Sequence, residues 1–295
     1  MGGVLRRTLL KSLVTASGTA ALGACTTAPP PAVTPSVATA RPSRPSPSPS
    51  AGTAPTKIFA VRTERLSLAR GAGRPLPTTI WRPTADGTYP LILFSHGLEA
   101  TPADYRELLT TWAKAGFIVA APTYPHTAAG VADFNPVDLL NQPADAEYVI
   151  TQVARRLGPA GPIAAAGHSG GGVTTLGMFG GDRDQRLKAG VILSGRQLVT
   201  APLTGPSTPL LFVHGKRDKV VDYADGHAAY AADTWPKAFL TVTDGGHVAT
   251  GAELDVIIAT STDFLRWSLY GDAAARKRLP RDATRGNLAT LENRL

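Results

Sequence analysis

The chain has 295 residues, enough for one large domain or two small ones, with 43% hydrophobic and 18% charged residues. That balance is ordinary for a soluble globular protein and excludes a disordered chain, a coiled coil and a multi-span membrane protein. The net charge of +8 is uneven: residues 1–56 hold Arg6, Arg7, Lys11, Arg41 and Arg44 and no acid, leaving +3 on residues 57–295. A body so nearly neutral lacks the basic surface of a nucleic-acid binder, although the pI is about 9.8. With Cys25 as its single cysteine, the chain has no internal disulfide and no cysteine-based zinc site.

The N-terminus reads as an address. Three basic residues within positions 1–11 precede an uncharged, mostly apolar or small run over 12–24, too short to span a bilayer. This is the pattern of a signal peptide, residues 1–24. Arg6-Arg7-Thr8-Leu9-Leu10-Lys11 resembles the twin-arginine export motif, with the general secretory route as the alternative. Leu22-Gly23-Ala24-Cys25 resembles a bacterial lipobox, which implies lipidation of Cys25, cleavage before it, and anchoring to the outer face of the cytoplasmic membrane. Residues 26–56 are rich in Pro, Ser, Thr and Ala without apolar periodicity, so residues 25–56 are expected to form a lipidated, extended tether.

From residue 57 to 295 the pattern is that of one domain. Lys57–Ala69 and Pro77–Arg82 alternate apolar and polar residues, as antiparallel edge strands do. Pro90–Ser95 and Phe117–Ala121 are continuous apolar runs, expected to be buried strands. Between them Pro102–Ala115 places Tyr105, Leu108, Leu109 and Trp112 on one helical face. Thr123–Gln142 has loop character and Ala144–Leu157 is helical. Strand and helix then alternate over Pro162–Gly167, Gly170–Phe179, Ala189–Leu193, Pro209–His214, Tyr223–Thr234 and Ala238–Val242. Leu254–Tyr270 is a closing helix before a basic tail. About eight strands follow, in a mostly parallel sheet covered by helices on both faces, an α/β fold.

Gly167-His168-Ser169-Gly170-Gly171 lies where a buried strand ends and a helix opens. That is the setting of the G-x-S-x-G elbow, which lifts a serine hydroxyl above the strand ends. Serine needs a base. His247, on a loop after a strand late in the chain, is the candidate. Asp218, after the strand ending at His214, is the carboxylate that would orient it, giving the order Ser169, Asp218, His247. Asp222 and Asp225 are rivals, but they stand at a helix start, where an acid needs no catalytic explanation. His96 and His214 read as strand-end structural histidines that could line the site. His126 is expected to face substrate. His168 should point away from Ser169, packing or lining the cleft, and His227 should be exposed. No H-E-x-x-H, dinucleotide-binding or phosphate-loop motif is present, so no metal or nucleotide cofactor is expected.

With these motifs in order, the chain from about Thr79 to Tyr270 resembles the α/β-hydrolase superfamily. It is closest to a branch joining dienelactone-hydrolase-like proteins, platelet-activating-factor acetylhydrolases and bacterial polyester hydrolases. The resemblance is carried by Phe94-Ser95-His96-Gly97-Leu98, Gly116-Phe117-Ile118-Val119-Ala120-Ala121-Pro122, the elbow, His214-Gly215-Lys216-Arg217-Asp218 and Gly246-His247. It implies an oxyanion hole from the N–H groups of Leu98 and Gly170. It implies hydrolysis of small-molecule or lipid carboxylic esters by a monomer with an open cleft. The chain departs from dienelactone hydrolases in using Ser rather than Cys. It departs from polyester hydrolases in carrying His168 and Ser194-Gly195-Arg196 where they have Trp. A polymer-cleaving enzyme and a catalytically silent binding lipoprotein remain the alternatives.

Overall fold

The computed structural model describes residues 53–158, 161–181, 183–199 and 202–295. The expected signal peptide, Cys25 and all but the last four residues of the expected tether lie outside the described residues. Nine strands form one sheet: β1 (Val61–Ala69), β2 (Pro75–Pro83), β3 (Leu91–Ser95), β4 (Ile118–Pro122), β5 (Ile163–His168), β6 (Leu187–Leu193), β7 (Leu210–Gly215), β8 (Lys237–Val242) and β9 (Ala289–Arg294), in the spatial order β1-β2-β4-β3-β5-β6-β7-β8-β9. From β4 to β8 all neighbours are parallel; β1, β2 and β9 join antiparallel. The expected mostly parallel sheet is therefore present. Two details differ. β2 is interior, between β1 and β4, and the tail is structured, supplying a helix and the ninth strand.

The helices are α1 (Arg106–Lys114), α2 (Gln142–Leu157), α3 (Gly170–Gly177), α4 (Tyr223–Ala232), α5 (Gly251–Tyr270) and α6 (Ala273–Ala283). Successive strand side chains point to opposite faces, so each central strand feeds two cores. Ile92, Phe94, Val119, Val191, Val213 and Leu240 meet α1, α5 and α6. Leu91, Leu93, Ala120, Ile163, Phe212 and Phe239 meet α2, α3 and α4. Burial on both sides is why these strands read as unbroken apolar runs. Trp112 is fully buried on α1 and spends its one donor on Ser261 Oγ of α5, at 3.1 Å.

Two polar clamps fix the connection between β4 and α2. Arg74 meets Asp138 through paired bonds of 2.9 Å, and it also bonds Asp145, which is fully buried and takes Arg70 Nε at 2.7 Å. A buried Arg–carboxylate fork of this kind is strong because the guanidinium matches both oxygens. From the other side, Gln142 donates to Thr127 Oγ1 and accepts from Thr174 Oγ1 of α3, both at 2.6 Å. The connection holds one short 3-10 turn, Pro136–Leu140. At the start of the domain, the Pro55 carbonyl accepts from Arg266 Nη2 at 2.8 Å, so residues just before 57 already touch the body.

Candidate active site

The turn from β5 into α3 is built by close approach. A Cβ on Gly171 would stand 1.9 Å from the Ser95 carbonyl oxygen of β3, and one on Gly167 would stand 2.2 Å from the Gly171 oxygen. Only glycine fits at either place. Between them Ser169 adopts φ 56°, ψ −119°, a conformation that costs a non-glycine residue about 1–3 kcal/mol and persists only where its surroundings enforce it. The enforcing contacts include the Ser169 N–H, which bonds Leu193 O of β6 at 2.9 Å. The hydroxyl is thereby raised, half-exposed, at the N-terminus of α3.

Three side chains from three loops meet there. His247 Nε2 lies 2.8 Å from Ser169 Oγ, and His247 Nδ1 lies 2.8 Å from Asp218 Oδ2. Asp218 follows β7, and its other oxygen accepts from the N–H groups of Val220 at 2.8 Å and Val221 at 3.0 Å. Burial would raise this carboxyl, but the His247 bond and the two N–H bonds outweigh it and hold the pKa below the ordinary carboxylate value. A charged Asp218 obliges His247 to carry its proton on Nδ1, leaving Nε2 free to accept from the serine. The rivals are elsewhere: Asp225 pairs with Arg196 at 2.9 Å, and Asp222 stands at the N-cap of α4 without a side-chain capping bond.

The remaining histidines divide by contact. His96 is 1% exposed and does not line a cleft. Its Nε2 accepts from the Tyr124 N–H at 3.0 Å and its Nδ1 donates to Gly97 O at 2.8 Å, with burial lowering its pKa. The reading of His96 as a strand-end structural histidine fits, and a place lining the site does not, because both ring nitrogens are committed. In a trans peptide, the carbonyl and the next N–H point opposite ways. By holding Gly97 O, His96 therefore turns the Leu98 N–H outward. Among the described residues that N–H is given to no backbone acceptor. A Cβ on Gly170 would lie 3.4 Å from Leu98 N, so the two expected oxyanion donors are neighbours.

His214 is the structural residue expected of it: buried, its Nε2 donates to Val221 O at 3.0 Å, and burial lowers its pKa. His168 bonds Tyr105 Oη and the His247 carbonyl, so both of its ring nitrogens are engaged. His227 pairs with Glu292 at 2.8 Å. For His126, half-buried in the β4–α2 connection, no contact ties it to Ser169, and among the described residues no acid–histidine–cysteine cluster is placed to hold a metal ion. What the sequence offered no signal for is Tyr105, which reads as part of a helical core stripe.

An apolar groove of about 400 Å³ runs beside α3, lined by Leu139, Leu140, Val173, Gly177, Leu198 and Leu203. It begins close to the elbow, because Leu139 Cδ2 lies 3.1 Å from where a Gly170 Cβ would be and Val173 is one helical turn from Ser169. Leu140, Leu198 and Val199 expose apolar surface along it.

Over residues 50–195, just under half of its length, the chain is similar to the family described as Chlorophyllase. The fold is that of the α/β-hydrolases. The match takes in His96-Gly97-Leu98 and the elbow and stops before Asp218 and His247, and it supports an ester hydrolase of α/β-hydrolase type. No curated protein matches the chain.

Proposed function

We propose that this protein is a serine hydrolase that cleaves carboxylic esters through an acyl-enzyme. Ser169 Oγ attacks the ester carbonyl while His247 Nε2 takes its proton. The same imidazole then delivers that proton to the departing alcohol, Asp218 stabilising the imidazolium in between. Leu98 and Gly170 N–H groups receive the negative charge that develops on the carbonyl oxygen, a contribution of roughly 3–4 kcal/mol per donor where one has been removed. Water, activated by the same histidine, releases the acid. The observation that carries this reading is the continuous line of 2.8 Å bonds from Asp218 through His247 to Ser169.

The groove beside α3 supports ester substrates with an apolar arm. Its position next to Gly170 lets such an arm lie along Val173 and Gly177 while the carbonyl sits at Ser169. The sequence N-terminal to the domain supports an exported protein anchored through Cys25. Replacing Cys25 with Ser should then move the protein from the membrane fraction to the soluble one, and an unmodified Cys25 in the wild type would remove the anchor from the proposal. For the chemistry, a fluorophosphonate probe should label Ser169 in the wild type. Ser169→Ala should abolish labelling, and His247→Ala should slow it by orders of magnitude. Full esterase activity in Ser169→Ala would place the nucleophile elsewhere.

A further inference from the structure

We infer that Tyr105 and His168 are positioning residues which lock the base loop and the Leu98 loop together through one directed chain of hydrogen bonds. The direction follows from elementary donor rules. His168 Nε2 lies 2.7 Å from the His247 carbonyl oxygen, which can only accept, so Nε2 carries the proton. A neutral imidazole has one N–H, so Nδ1 is bare and accepts from the Tyr105 hydroxyl at 2.9 Å. That hydroxyl, its proton spent, accepts in turn from the Gly97 N–H at 3.1 Å. Every proton between Gly97 and His247 is thereby assigned. Gly97 is also held on its carbonyl side by His96, so both peptide groups flanking Gly97 are fixed, and the same chain ends on the main chain of the base.

The His247 ring is held by Asp218 and Ser169, and its main chain through its loop. It lies on the β8–α5 connection, which is tied back by the Gly245 N–H to Val242 O at 3.3 Å and by the Arg217 N–H to Gly245 O at 2.9 Å. The bond from His168 acts on His247 itself. The two rings stand 4.8 Å apart, and during the reaction proposed above His247 becomes an imidazolium. A neutral His168 spares it a like charge at that distance. Burial favours the neutral ring, pushing the His168 pKa down to about 4, and it keeps the Tyr105 hydroxyl protonated, with a pKa raised to about 12. The His247 carbonyl thus selects the His168 tautomer, and that tautomer leaves Nδ1 to accept from Tyr105.

The inference rests on the serine-hydrolase reading, and the experiment separates the two. Tyr105→Phe removes one hydroxyl and keeps the ring that packs 4.8 Å from Phe94. His168→Leu removes both bonds, whereas His168→Gln keeps an N–H donor near the position of Nε2. Long-range 1H–15N correlation spectra should show His168 as the Nε2–H tautomer in the wild type and still so in Tyr105→Phe, because the His247 carbonyl can only accept. Tyr105→Phe and His168→Leu should lose roughly 10- to 100-fold in kcat with KM nearly unchanged, the scale of one or two lost bonds that act only on positioning. His168→Gln should recover most of that loss. An Nδ1–H tautomer in the wild type, wild-type kcat in Tyr105→Phe, or a His168→Gln no better than Leu would each overturn the inference. If His168→Leu does not fold, Tyr105→Phe and the wild-type tautomer still decide it. If Ser169→Ala abolishes turnover while Tyr105→Phe leaves it intact, only this inference falls. If turnover does not depend on Ser169, the hydrolase reading falls and takes the inference with it.

Discussion

Acidification should weaken the folded state through His168 by an amount that the structure sets. The ring is ordinary at 6.5 in the unfolded chain and pushed down to about 4 by burial in the folded one. Between those values the unfolded chain binds a proton that the folded chain refuses. The contribution is therefore fully present above about pH 6.5, declines as pH falls, and is exhausted below about pH 4. At about 1.36 kcal/mol per pH unit the span amounts to about 3 kcal/mol, or roughly 6–12 °C in Tm for a domain of this size. The wild-type curve alone would not reveal it. Burial raises Asp263 to about 6, so that carboxyl takes up a proton in the folded state first and adds stability as pH falls through the same window. The decisive quantity is the difference between wild type and His168→Gln, in which Asp263 cancels. Urea unfolding at half-unit steps from pH 7 to pH 4 should show the wild type losing about 3 kcal/mol relative to the variant. A difference that stays flat across that range would refute the burial argument, and one that grows in the wild type's favour would mean that His168 is charged in the folded state.

Asp218→Asn should cut kcat by about 10⁴ through the wrong tautomer of His247, whereas Asp222→Asn stays near wild type; the reverse pattern would reassign the acid. Gly171→Ala places a methyl group 1.9 Å from the Ser95 oxygen, backbone against backbone. It should cost about 3 kcal/mol or more in denaturant unfolding, and a Tm within about 2 °C of wild type would contradict the close approach. A chain beginning at Ala54 should be as stable as the full protein, but one beginning at Lys57 loses the Arg266–Pro55 bond. The shorter chain should unfold about 1–2 kcal/mol more easily, the scale for a charged donor, and equal melting of the two would refute the contact.

The central strands were legible because burial on both faces leaves no polar interruption, and the elbow because glycine is dictated by sterics at Gly167 and Gly171. The last strand was not. Only Ala289 of Ala289–Arg294 is buried, and an edge strand with one weakly covered face has no alternation to read. Likewise α6 carries the basic run Arg276-Lys277-Arg278, which looks like tail until Leu279 and Ala283 are seen in the core. At the site, Ser169, Asp218 and His247 each announced themselves by position relative to a strand end, and the structure brings all three together. His96 was left with both a structural and a lining reading, because a strand-end histidine beside glycine looks the same whether its nitrogens face a cleft or the backbone. Tyr105 was invisible as a partner, because it lies 63 residues from His168 and no local pattern spans such a gap.

The clamped connection between β4 and α2 bears on what becomes of the acylated serine. With Arg74 and Gln142 fastening it from two sides, the wall next to Gly170 is part of the frame. Ser169 is half-exposed. An acyl group held there, as proposed above, would stand open to solvent, and a competing alcohol would gain no sheltered chamber. If the proposed acyl-enzyme forms, hydrolysis rather than transfer of the acyl group to another acceptor is the outcome such an open site favours.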